Sequence, residues 1–337
     1  MRRKRGGMLL VFLAVLLSCL FFFWQKSTEI IKEDERIYET YSRHYVMITG
    51  RDESDFWDRV YESALAEGKE RGVYVERFGE NLAVEYDRNE LLELAIQASV
   101  DGIIVPGDED DKTVALLDEA VKNGIPVVTV LRDSTGSLRQ CFVGDNSYNL
   151  GQEYGRQILE LLSEKKEEME SPVKILVLME ESRMDTSQNL ILFGIRETLE
   201  RELGENHSTT VETALVDNTR SFSSEESIRD IFLNLEELPD VLVCLNAVHT
   251  RCAYQAAVDY NKVGTVQMLG YYDSETILDA VAKNIIYSTI ALDAGQMGRL
   301  CVQALDEYTQ TGYTNSYMAV DTKLITAKEA KRLVDRK

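Results

Sequence analysis

Proline, histidine and paired cysteine are all scarce in this sequence, and each scarcity closes off a class of protein. Four prolines in 337 residues leave too little material for a long proline-rich linker, which depends on that residue to stay extended. The three histidines, His44, His207 and His249, lie far apart along the chain. A histidine metal site or histidine-based catalysis is therefore poorly supported. No two cysteines form a CxxC pair; Cys141, Cys244, Cys252 and Cys301 each sit in an apolar run. That is the setting of buried free thiols, although a Cys244–Cys252 disulfide stays open in an oxidising compartment. Also missing are a G-x-S-x-G elbow, a phosphate-binding P-loop, a G-x-G-x-x-G turn after a strand and an H-E-x-x-H helix. Without a nucleophile, an acid–base pair or a metal motif, the chain does not read as an enzyme and implies no cofactor. Acidic pairs such as Asp108 and Asp111 are read as solvated loops, which so acidic a chain has in number.

Basic residues are outnumbered, 37 against 58 acidic, for a net charge of −21. Residues 1–26 hold five basic side chains and no acidic one, so the remainder is more acidic still. Such a surface repels phosphate backbones, and nucleic acid is not an expected partner. What is present fits a folded protein: 44% apolar and 28% charged residues. The length exceeds what one core usually serves and predicts two lobes.

The first segment bears on compartment. Arg2 to Arg5 precede an uninterrupted apolar run, Met8 to Trp24, of 17 residues. As a helix it would span roughly 25 Å, at the short end for a membrane crossing. Basic residues stay on the cytoplasmic side, which places the chain from Lys26 onward outside. Three readings stand: an uncleaved anchor, a cleaved signal, and a lipidated Cys19 after Leu16-Leu17-Ser18. Apolar residues continue through Leu20 to Trp24, where a mature lipoprotein turns polar, and this favours the anchor. Residues 27–44 then read as a stalk, helical near Ile30 to Tyr41.

From Tyr45 onward short apolar runs alternate with amphipathic helices. Strands are expected at Tyr45–Thr49, Val73–Phe78, Gly102–Val105 and Pro126–Val130, with helices near Phe56–Arg71, Arg88–Ala98 and Lys112–Asn123. A second series follows residue 145. Its strands are Val173–Leu178, Thr210–Val216, Val241–Leu245 and Val266–Gly270, and its helices lie near Asn149–Glu168, Gln188–Leu203, Ser224–Leu235, Thr250–Asn261 and Ser274–Lys283. Runs such as Gly102-Ile103-Ile104-Val105 are apolar on both faces, as parallel strands buried beneath helices are. Two such series predict an α/β protein with two doubly wound sheets, whose ligand sits beyond the strands' carboxyl ends.

Several stretches carry a resemblance through their order and spacing. They are Ser54-Asp55-Phe56-Trp57, Val100 to Val105, Gly124 to Val130, Val143-Gly144-Asp145-Asn146, Leu245-Asn246, Gly270-Tyr271-Tyr272-Asp273 and Ser288-Thr289-Ile290-Ala291. Over residues 45–326 the chain resembles the type 1 periplasmic binding proteins, in particular the sugar-binding receptors related to ribose and galactose binding proteins. That resemblance implies two lobes joined by a three-strand hinge: 45–144 plus 292–320, and 145–291 plus 321–337. It implies a monomer that closes on a small polar, sugar-like ligand and delivers it to an ABC permease. The alternative is a ligand-sensing co-receptor for a membrane histidine kinase, which the anchor and stalk favour. Relatives of this fold that act as repressors carry a DNA-binding helix pair in front; here the apolar segment occupies that place.

The resemblance also nominates site residues, beside which plainer readings stand. Planar polar side chains pair with adjacent sugar hydroxyls, and aromatic rings pack on the sugar's apolar face. Phe56 and Trp57 open the first helix where the cleft should be, with Phe56 equally suited to the core stripe. Arg132 matches a ligand arginine, but Leu131 stands where relatives have an aspartate. Asn146 and Asn246 match ligand asparagines, and each could instead cap a helix. Gln188 lies where relatives place an arginine. Asp273, beside Tyr271 and Tyr272, matches a ligand aspartate. Leu292 replaces a ligand glutamine. Two leucines at polar positions imply a ligand that is less hydroxylated or larger than ribose, or not a sugar.

Overall fold

The structure is a computed structural model that describes residues 41–49, 54–164, 172–181, 186–204, 209–217, 222–234 and 238–335. The basic leader, the apolar run and the expected helix of the stalk lie outside the described residues. Among the described residues no helix is long and apolar enough to cross a membrane.

The alternation is built as strands and helices in turn, except where the strand Cys141–Gly144 follows Val127–Val130 and the strand Thr322–Thr326 follows Tyr317–Ala319. It begins β1 (Arg43–Met47), α1 (Ser54–Glu70), β2 (Val73–Arg77), α2 (Arg88–Gln97), β3 (Gly102–Val105), α3 (Asp111–Lys122), β4 (Val127–Val130) and β5 (Cys141–Gly144). It continues α4 (Ser147–Glu164), β6 (Val173–Glu180), α5 (Thr186–Leu203), β7 (Thr209–Val216), α6 (Ser223–Asn234) and β8 (Val241–Cys244). Then come α7 (Ala247–Asp259), β9 (Gln267–Tyr271), α8 (Glu275–Ala282), β10 (Ser288–Leu292) and α9 (Ala294–Thr311), and the chain ends with β11 (Tyr317–Ala319), β12 (Thr322–Thr326) and α10 (Ala327–Val334). Helix starts follow local chemistry. Asp87 and Glu90 form a reciprocal capping box at α2, and Asp110 accepts from Thr113 N at 3.0 Å at α3.

Two six-stranded sheets result, ordered β11-β5-β4-β3-β1-β2 and β12-β10-β9-β8-β6-β7. Both faces of the first are covered. Tyr45 and Met47 join one apolar cluster, while Val46 and Ile48 join the other with Leu92 and Leu117 of α2 and α3. The alternation of side chains along a strand requires this of a strand apolar at every position. The first strand takes in Arg43 and His44, which sequence analysis assigns to the stalk. His44 N donates to Asp101 Oδ2 at 2.7 Å and Asp101 N donates back to His44 O at 2.9 Å. Cys141, Cys244, Cys252 and Cys301 are all free thiols, so the Cys244–Cys252 bridge is not formed.

Among the described residues the chain passes between sheets three times: β5 to α4, β10 to α9, and β11 to β12. These passages lie side by side, with Val320 N donating to Gly144 O at 2.8 Å and Asp293 N to Asp321 O at 3.0 Å. The second sheet is not wholly parallel as expected, because β12 runs antiparallel to β10. The cause is directional. A chain leaving β11 at its carboxyl end enters the second lobe at the edge where the parallel strands finish, and can only run back.

Glycine sets the helix packing beside two of these passages. A Cβ on Gly298 of α9 would stand 2.1 Å from Val60 O of α1, and one on Gly151 of α4 would stand 2.2 Å from Ile191 O of α5. Arg71, just past the end of α1, reinforces the first contact by donating to Glu67 of that helix at 2.7 Å and to Asp306 of α9 at 2.9 Å. Gly298→Ala and Gly151→Ala are each expected to lower unfolding stability in urea by about 1–3 kcal/mol, because backbone must give way. Gly136→Ala, whose Cβ meets only Glu109 Oε2 at 3.6 Å, serves as the control and should be near neutral.

Candidate ligand cleft

The register places the polar candidates at one edge of each sheet. In the first, Val105 pairs with Thr129 and Val130 with Val143, so Gly107, Arg132 and Asp145 follow the carboxyl ends. In the second, Leu178 pairs with Cys244 and Val243 with Leu269. Continuing that register aligns Glu180 with Asn246, and Asn246 with Tyr272.

At the first edge the turn after β4 is tight. Leu131 adopts φ 65°, uncommon for a residue with a side chain, and Arg132 N donates back to Val130 O at 2.7 Å. Arg132 is exposed. Asp133, beside the leucine that replaces the family aspartate, accepts from Thr129 Oγ1 at 2.8 Å, from Ser134 N at 2.7 Å and from Arg139 Nε at 2.5 Å. Its carboxylate is fully engaged in holding the loop. Asn146 is exposed and accepts from Asn149 N at 3.0 Å, capping α4.

At the second edge two candidates, Gln188 and Asn246, meet through Glu180, a residue not nominated from sequence. Glu180 ends β6; its N–H donates to Gln188 Oε1 at 2.7 Å and its carboxylate accepts from Asn246 Nδ2 at 2.8 Å. Asn246 also caps α7, accepting from His249 N at 2.7 Å. Tyr271 is buried, its N–H donating to Thr250 Oγ1 at 3.0 Å. Tyr272 takes φ 90°, and its carbonyl accepts from Thr289 Oγ1 at 2.7 Å.

Across the gap, Arg59 of α1 reaches Asp273 after β9. It donates from Nη1 to Oδ2 at 2.8 Å and from Nη2 to Oδ1 at 2.5 Å. The guanidinium carbon sits 5.8 Å from the centre of the Tyr272 ring. Phe56 meets that ring edge-on at 5.5 Å and meets Trp57 at 5.5 Å. Phe56 and Trp57 are almost fully buried. The hydrogen bonds to Asp273 hold the Arg59 pKa above its ordinary value, against the opposing effect of burial. Thus Phe56, Trp57 and Asp273 share one cluster with Tyr272 and Arg59, Gln188 and Asn246 share another with Glu180, and Arg132 and Asn146 stand apart from both.

Neither Arg59 nor Glu180 was nominated from sequence, though each left a signal. Arg59 lies three residues after Phe56, hence on the same helix face. Glu180 lies two residues beyond Leu178 on a strand in register with the one carrying Asn246. Among the described residues no group of three or more His, Cys, Asp or Glu could hold a metal ion. A cavity of ≈ 490 Å³ lined by Ser99, Asp101, Asn123 and Tyr308 opens at the amino ends of β3 and β4, away from this edge.

His249, buried in the first turn of α7, has its pKa lowered from 6.5 to about 4 by burial, partly offset by a hydrogen bond to the Leu178 backbone. The unfolded chain therefore takes up this proton first as pH falls. Stability from His249 is intact above pH 6.5 and is lost down to about pH 4, a total of about 3 kcal/mol. His249→Gln should flatten the pH dependence of urea unfolding across that window, whatever its absolute stability; equal slopes would refute the assignment.

The sequence matches the family model described as "Periplasmic binding protein domain" over residues 45–313. Comparison with curated proteins gives no match. Among solved structures, GanP, described as a glucose-galactose binding protein from Geobacillus stearothermophilus, superposes with a TM-score of 0.71 at 22% identity, covering 85% of this chain and 98% of its own. A sugar ABC transporter sugar-binding protein from Bacillus halodurans gives 0.71 at 21%, covering 86% and 99%. XylFII in its complex with LytSN gives 0.68 at 22%, covering 85% and 98%. At these identities the likeness establishes the fold. The family model spans most of the chain, and this protein belongs to the periplasmic binding protein domain family.

Proposed function

We propose that this chain is an extracytoplasmic solute receptor that binds a sugar or sugar-like ligand between its lobes and delivers it to an ABC importer. The observation that carries this reading is the meeting of Asp273, Phe56 and Tyr272 at facing strand ends, with Asn246 one strand away in register. A carboxylate, an amide and aromatic rings are the groups a hydroxylated ring uses. Fold neighbours described as glucose-galactose and arabinose binding proteins support it. In this reading, 45–144 with 292–320 and 145–291 with 321–337 move as lobes about the three passages, and ligand bridges them in the closed form. Arg132 contacts ligand once the loop after β4 turns inward, Asn146 and Gln188 line the walls, and Leu131 and Leu292 select against a fully hydroxylated pentose. Residues 1–26 anchor a monomer to the membrane, 27–42 raise it, and no reaction is catalysed.

A second reading is a ligand-sensing co-receptor for a membrane histidine kinase. It is favoured by the fold neighbour XylFII, which is seen in complex with a second protein, LytSN. Genes for a permease and ATPase beside this one are expected under the first reading, and genes for a kinase and response regulator under the second.

The direct test is a thermal-unfolding screen of the full-length chain against mono- and oligosaccharides and polyols. A ligand at one hundred times its dissociation constant should add about 2.7 kcal/mol of stability. Asp273→Ala and Arg132→Ala should abolish that gain while remaining folded. A panel in which nothing stabilises either this chain or its Arg59→Ala variant rejects the sugar-receptor reading.

A further inference from the structure

In this structure the two lobes hold each other through the two kinds of contact that a hydroxylated ring would make with them. Asp273 receives paired hydrogen bonds, at 2.8 and 2.5 Å, from Arg59 of the opposite lobe. Tyr272 receives an aromatic edge, at 5.5 Å, from Phe56 of that same helix. The guanidinium also lies against the Tyr272 ring, 5.8 Å from its centre. One turn of α1 therefore closes on one strand end of the second sheet. While Arg59 holds both Asp273 oxygens, the paired acceptance they offer is not open to adjacent hydroxyls of a ligand. The Arg59 side chain is 43% exposed and the Asp273 side chain 17%, so solvent reaches the pair and a solute can displace it.

From this we infer that Arg59 is a built-in competitor for the ligand: it latches the empty lobes shut on Asp273, and ligand must displace it to bind. The competing side chain is cationic, so the latch discriminates by charge. An acidic ligand is repelled by Asp273 when it enters and has to capture Arg59 from an intact pair. A neutral polyol that hydrogen-bonds to Asp273 only has to replace it. The inference thus deepens the sugar-receptor reading, on which its choice of ligand rests, while the latch itself is a property of the empty protein. Apparent affinity scales with the unlatched fraction; a latched form holding about nine-tenths of the molecules weakens binding about tenfold.

The test uses the full-length chain with spin labels on non-canonical side chains at the exposed positions Lys112 of α3 and Glu226 of α6, one on each lobe. Without ligand, wild type should give a single short distance, and Arg59→Ala a longer and broader distribution. The charge swap Arg59→Asp with Asp273→Arg should restore the short distance. An Arg59→Ala distribution identical to wild type overturns the latch. In parallel, any neutral sugar that binds wild type should bind Arg59→Ala about tenfold more tightly; equal or weaker binding overturns the competition. If no sugar binds either protein but Arg59→Ala still opens, the latch stands and the sugar-receptor reading fails. Sugar binding that emerges only in Arg59→Ala supports both.

Discussion

Strand direction is the constraint on which the rest of this molecule depends. Parallel strands finish at one edge, and β5, β10 and β11 leave the first or second sheet only at that edge. Each passage therefore joins the lobes where their strand ends face each other. The polar ends of β6, β8 and β9, and the start of α1, are brought into one gap by the same fact. Even the antiparallel setting of β12 follows, since a chain arriving at the finishing edge can only run away from it. The glycines at Gly151 and Gly298 serve this arrangement. They let α4 and α9, which continue two of the passages, settle backbone-close on α5 and α1 respectively.

Within the gap, many polar groups that could greet a ligand already have structural work. Asn246 caps a helix and binds Glu180; Gln188 fixes the Glu180 backbone; Asp133 braces the loop after β4. Buried polar groups must be satisfied, because an unpaired one forfeits its hydration without return. A ligand here has to substitute for such partners rather than fill vacant ones. The exceptions are groups at the rim, of which Arg132 is one, exposed on a strained turn. The gap thus joins a committed floor in the second lobe to a more open wall in the first.

The Arg59–Asp273 pair and the Phe56–Tyr272 contact differ in how they respond to solvent. An ion pair with a partly exposed arginine is weakened by water and salt, and its strength depends on keeping the fork-to-carboxylate geometry. The aromatic contact is indifferent to salt and disappears only when the rings are wetted. Any separation of Arg59 from Asp273 that also parts Phe56 from Tyr272 loses both at once.

The architecture was legible in the sequence because it rests on short-range pattern. Apolar runs such as Gly102-Ile103-Ile104-Val105, flanked by amphipathic stretches, carry the pattern of parallel strands under helices, and most of the expected element ends fell within a few residues of those observed. Asp273 could be nominated because it matches a ligand aspartate of the family this chain resembles, and Phe56 and Trp57 because they open the helix after the first strand. What the sequence by itself determined was thus periodicity, strand ends, charge balance and the scarcity of catalytic groups. Only the tertiary structure decided which side chain each candidate meets. Arg59 and Asp273 are 214 residues apart, and Glu180 reaches Asn246 across 66. No local propensity encodes such a distance; it is set when two sheets, each folded on its own pattern, are turned edge to edge by the passages between them.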